Sequence, residues 1–139
     1  MKTLATLSAR TASGNGSAIA LERGLTGLTF LLQVTEAAHE AGDTLDVYVQ
    51  DSIDGQNWDD LVHFTQAQGS GGAKTFLARQ ACLISPSTAL GEKKDASLGA
   101  GVRQGPIGSM VRAKWVIAQS GDVPADGSFK FSVEMHESR

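Results

Sequence analysis

Six aspartates, Asp43, Asp46, Asp51, Asp54, Asp59 and Asp60, crowd one part of this 139-residue chain. Carboxylates held roughly 5–10 Å apart can act as the acid and base of glycoside hydrolysis. Loop carboxylates can also bind calcium or organise turns. The run Asp51, Asp54, Asn57, Asp59 lacks the central glycine register and closing glutamate of a helix-loop-helix calcium loop. Turn chemistry and a solvated loop account for most of these residues, and calcium at the acidic hairpin stays an open alternative. His39, His63 and His136 are widely spaced, and none stands at a metal-ligand spacing from Cys82. His63 is the one most able to meet Cys82. A Cys–His nucleophile needs an activated thiolate and an orienting group, whereas Cys82 in ACLI reads as a small buried hydrophobe. No catalytic, cofactor-binding or metal-ligating residue is assigned, no cofactor is expected, and the chain reads as a non-enzyme.

The aspartates belong to one hairpin, residues 45–64. Leu45, Val47 and Val49 alternate with Asp46, Tyr48 and Gln50, the period of a strand with one buried face. Asp54-Gly55 can reverse the chain, since glycine takes positive φ without steric cost. Trp58 restarts the pattern, with Trp58, Asp60, Val62 and Phe64 opposite Asp59, Leu61 and His63. Asp60 among apolar neighbours calls for a bulge or an edge position. The segment SIDGQNW, Ser52 to Trp58, resembles the Asp-box hairpin of sialidase-like propellers, one residue short between aspartate and tryptophan. That resemblance implies a folding device, with Asp54 and Gly55 setting the turn and Trp58 anchoring it. It implies no hydrolase, and one copy cannot build a propeller.

Further strands are expected at 3–8, 18–22, 28–35, 75–84, 110–119 and 128–136, the last showing the cleanest alternation. Residues 75–84 read as a central or interface strand. Tyr48 is the one strand aromatic clearly turned outward, too little for a sugar-binding face, although a carbohydrate or host-surface module stays an alternative. Residues 36–43 read as a connecting loop. About eight antiparallel strands and no helix must stack or close to bury their apolar faces. The expected fold is all-β, a β-sandwich or jelly roll, with a barrel as the remaining option. One domain spans 1–139, with an N-terminal arm and a long glycine-rich loop at 85–109 that contains Lys93, Lys94 and Arg103. Loops of that length inside a compact domain usually serve a partner.

A hydrophobic content of 41% suits a globular chain, and a net charge of −3 offers no basic footprint for gripping phosphates. No direct nucleic-acid contact is expected. One cysteine allows no internal disulfide, which fits synthesis in a cytoplasm. Neither a signal peptide nor an apolar run long enough for a membrane helix is present, so a soluble chain with no membrane partner is expected.

Three stretches together resemble small structural proteins of tailed-bacteriophage virions, above all head decoration (cement) proteins. They are ARTA with Gly14-Asn15, then TLDVYVQ through SIDG and Trp58 to His63-Phe64-Thr65, then 112–115 with the closing 127–133 strand. The resemblance implies a protein on the capsid surface of the virion that binds the major capsid protein, stabilises subunit seams and self-associates as a homotrimer. Similar proteins sit at the head–tail junction or in the tail, so a connector or tail component is the alternative. Arg10 in the arm, with Lys93, Lys94 and Arg103 in the loop, are the candidate partner contacts.

Overall fold

The computed structural model describes residues 1–85, 91–120 and 127–139. Among them run β1 (Lys2–Arg10), β2 (Gly14–Asn15), β3 (Ile19–Ala20), β4 (Gly27–Glu36), β5 (Thr44–Ser52), β6 (Asp59–His63), β7 (Ala67–Gln68), β8 (Lys74–Ala81), β9 (Gly101–Val102), β10 (Met110–Ala118) and β11 (Phe129–Ser138). The smaller sheet has the order β1-β11-β4-β8. The larger has the order β2-β10-β5-β6-β9, with β3 also on β10 and β7 also on β5.

This corrects the expected sandwich or jelly roll of about eight strands: the described chain is all-β, with eleven strands in two open sheets. The difference lies in β2, β7 and β9, which occupy stretches that read as turn or loop. A two-residue strand has no period to display, and only its pairing partner defines it. The strand stop expected at Pro86 and most of the turn expected at 120–127 lie outside the described residues.

The core forms where the apolar faces of the two sheets meet. Leu28, Phe30, Leu32 and Val34 of β4, with Phe129, Phe131, Val133 and Met135 of β11, join one cluster with Leu45, Val47 and Val49 of β5 and Val111, Ala113 and Trp115 of β10. Burial of a large apolar side chain is worth about 1.5–3 kcal/mol, so these residues dominate stability. Two irregularities adjust the alternation. In β6, Val62 faces Val49 while Asp60 faces Gln50, so Leu61 is an extra residue in a bulge. Leu61 and Val62 therefore both reach the core, and Asp60 passes to the other face. In β1, register shifts around Ala5 let consecutive Leu4 and Ala5 both join the core.

The strand expected at 3–8 is β1, nine residues long and paired with β11, where Thr3 Oγ1 donates to Glu134 at 2.8 Å. The 75–84 strand is neither central nor as long as expected. It stops at Ala81, ends the smaller sheet, and leaves Leu83 and Ile84 exposed. The chain between β2 and β3 passes close under β1, where a Cβ on Gly16 would collide with the Leu4 carbonyl.

Candidate functional site

The outer face of the larger sheet presents Asp46, Tyr48 and Gln50 of β5 beside Asp60 and His63 of β6 and Arg112 and Lys114 of β10. A bare sheet would show these polar residues to water. Here residues 94–98 lie across them, and Gln50, Asp60 and Tyr48 are buried. Asp60 is the centre of the attachment. Its Oδ1 accepts from Gln50 Nε2 at 2.9 Å and from the Ala96 amide at 3.0 Å. Its Oδ2 accepts from the Ser97 and Leu98 amides at 2.8 and 3.0 Å. Ala96 has φ of 53°, the left-handed conformation that turns consecutive N–H groups toward one point. Such a nest is an anion-binding shape, and Asp60 fills it from within the chain. The conformation costs an alanine about 1–2 kcal/mol, which the charge-assisted bonds offset.

The neighbours extend the clamp. Asp60 N–H donates to the Lys94 carbonyl at 2.8 Å, and Lys94 N–H donates to Asp59 Oδ1 at 2.7 Å. Gln50 donates to Asp95 at 2.7 Å and accepts from Arg112 Nε at 3.0 Å. The bond from Gln50, then that from Lys114 at 2.9 Å, hold the Asp95 carboxyl below its ordinary range. Tyr48 donates its hydroxyl to the Ala96 carbonyl at 3.1 Å and stacks on His63 with centroids 4.2 Å apart. Burial first, then the charges of Asp46 and Asp60, push the tyrosine hydroxyl up. His63 Nδ1 lies 2.7 Å from the Leu98 carbonyl, and Nε2 lies 2.9 Å from Asp46. Asp51 pins the end of the loop, accepting from Arg103 at 2.6 Å and from the Gly108 amide at 2.8 Å.

At the hairpin tip, Asp54 accepts from the Asn57 and Gln56 amides at 2.8 Å each and from Asn57 Nδ2 at 2.7 Å. Ser52 Oγ accepts from the Gly55 amide at 2.9 Å, and Gly55 has φ of 75°. The Asn57 amide, then its side chain and the Gln56 amide, hold the Asp54 carboxyl well below the usual carboxylate range. Trp58 is buried, with the Arg112 guanidinium 4.3 Å above its ring.

The candidate partner contacts divide. Arg10 lies 4.6 Å over Trp115 and 4.5 Å over Phe131 and donates to the carbonyls of Thr6 and Phe131, so it closes the core. Arg103 is paired with Asp51 and approaches Asp59 at 3.4 Å. Lys93 and Lys94 keep exposed side chains. In its described residues the loop expected to serve a partner is fastened to the sheet by the hairpin aspartates. The residues that fasten it, Gln50, Tyr48 and Asp60, carried one sequence signal: Asp60 sat in an apolar pattern. Tyr48, the outward aromatic of the sequence, is covered by this loop. The carboxylates of Asp51, Asp54 and Asp60 are each taken up by N–H donors of the chain. No family model, curated protein or solved structure matches the chain.

Proposed function

We propose that this protein is a structural component of a tailed-bacteriophage virion, a decoration protein that binds the capsid surface and stabilises the seams between coat subunits. The supporting observation is the clamp. The chain's densest group of potentially reactive side chains is spent on holding residues 94–108 to the sheet, which makes a stiff surface instead of a reactive cleft. A protein that covers a seam needs such a surface, and closed self-association, here as a homotrimer on the major capsid protein, multiplies its grip. Arg10 and Arg103 are engaged within the chain, so contact passes to Lys93, Lys94 and the open sheet edges. The aromatic residues weigh against a sugar-binding module, since Trp58, Trp115 and Tyr48 are all buried.

The test is solution mass measurement combined with imaging of purified virions with and without the protein. Trimers and added density at capsid seams are expected. A ring of twelve or a hexamer on the portal axis would move the protein to the head–tail connector class. Unaltered virions and a monomer that attaches to no particle would defeat the proposal. Deleting 91–101 is not a clean test of attachment, because it strips Asp60 of the Ala96, Ser97 and Leu98 amides.

A further inference from the structure

The two open sheets part along a groove between β8 and the β6–β9 end of the larger sheet. It holds about 250 Å³ among Val62, Phe64, Phe76, Leu77, Ala78 and Val102. Strand β8 ends the smaller sheet, so one edge of its backbone has no strand partner among the described residues. Part of that edge is capped by a side chain standing in for a peptide group. Gln104 accepts from the Ala81 amide at 2.6 Å through Oε1 and donates to the Arg79 carbonyl at 3.3 Å through Nε2. The Gly105 amide then donates to the Ala81 carbonyl at 2.9 Å. Backbone groups face the same edge at every second residue. Leu77 and Thr75 therefore offer their N–H and C=O on this side too, beyond the stretch that Gln104 covers.

Charge selects what fits there. Lys74 and Arg79 flank the uncapped stretch, both are exposed, and neither side chain bonds to a described residue. The residues lining the groove include no carboxylate. Leu77 is 49% exposed and Leu83 80% exposed, adding apolar surface beside the edge. A second copy is a poor occupant. The outer strands β1, β2, β3, β7, β8 and β9 contain no Asp or Glu, while β1 and β8 both carry cations. Pairing β8 with β1 or β8 of another copy would set like charges together, which disfavours a strand pair.

We infer that the β8 edge at Thr75–Leu77 docks an extended segment of a partner protein in which apolar residues alternate with carboxylates. The segment adds a strand continuing from Gln104 and its backbone pairs with Thr75 and Leu77; its carboxylates fall on the face of Leu77 and Arg79 and meet Arg79, and its apolar side chains fall on the opposite face with Phe76 and Ala78 and enter the groove. This inference goes beyond the virion proposal and does not need it.

The probe is a capped synthetic octapeptide alternating valine with aspartate and glutamate, titrated into isotopically labelled protein and followed by amide chemical shifts. Saturable shifts at Thr75 and Leu77 are expected, weakened by salt. The substitution Arg79→Glu lies on the surface and should cut affinity about tenfold or more while favouring a lysine-for-acid version of the peptide. Leu77→Pro removes the outward N–H without taking a donor from β4, and should abolish the response at Thr75. If that variant fails to fold, the charge reversal still decides the question. The inference is overturned by shifts absent at millimolar peptide, by equal binding of the lysine version, or by association of the protein with itself through β8.

Discussion

The outer faces of the two sheets start from the same strand pattern and end in opposite environments. On the smaller sheet, Gln33 and Thr35 of β4 and His136 of β11 point to water, while their neighbours Phe30, Val34, Phe131 and Met135 fill the core. On the larger sheet, Tyr48 and Gln50 alternate with Val47 and Val49 in the same way, yet both sets are buried. The difference is what lies above. Residues 94–98 cover the larger sheet, burying Tyr48, Gln50 and Asp60, and Asp60 supplies the acceptors that hold the loop backbone there. An uncovered face tolerates polar residues of many kinds. A covered face needs each one matched to a donor or acceptor, because a buried unpaired group costs about 1–3 kcal/mol.

The largest break in this contrast is Asp60→Ala. It should lower stability by about 3–5 kcal/mol, since the Ala96, Ser97 and Leu98 amides and Gln50 would each lose an acceptor in a buried site. Chemical denaturation measures this, and a loss under about 1 kcal/mol would mean that the clamp carries no weight. Next comes Gly55→Ala, expected to cost about 1–2 kcal/mol because the positive φ at the hairpin tip strains any residue with a Cβ. A neutral result would show that the tip relaxes freely.

Acid should loosen the hairpin tip and the loop near residue 95 before the open face. Asp54 and Asp95 have folded-state carboxyl pKa values below their unfolded ones, so what they add to stability is present above the unfolded value, about 3.9, and is lost as pH falls through the folded values. Amide exchange between pH 4 and pH 2 should therefore rise first at the hairpin tip and near residue 95. Earlier loss in β4 and β11 would contradict this. The smallest effect is Gln33→Ala on the open face, expected within about 0.5 kcal/mol; a loss comparable to Asp60→Ala would erase the distinction between the faces.

Much of the frame was legible in the residues. The alternation in 28–35, 45–50, 110–119 and 128–136 marks β4, β5, β10 and β11, since period two is a local property of the backbone. The tip residues Ser52, Asp54 and Gly55 were legible for the same reason, because their bonds span only a few positions. The parity break at Asp60 left a bulge or an edge position open, and the register shift opposite Val49 and Gln50 is a bulge. Its purpose stayed hidden, because the partners of Asp60 lie 36 to 38 positions away. Arg10 and Arg103 read as candidate partner contacts on the same grounds: a guanidinium over Trp115 or beside Asp51 is a long-range contact that no window around the residue contains.

By itself the sequence determined an all-β chain, the faces of its long strands and the turn at Asp54-Gly55. Tertiary structure alone decided that the sheets remain open, that β2, β7 and β9 exist as strands, and that the glycine-rich loop is held down. The physical reason is the same in each case. A hydrophobic period or a glycine turn acts among neighbours in the chain, whereas a sheet edge, a two-residue bridge and a buried carboxylate are defined only by what distant residues bring to them.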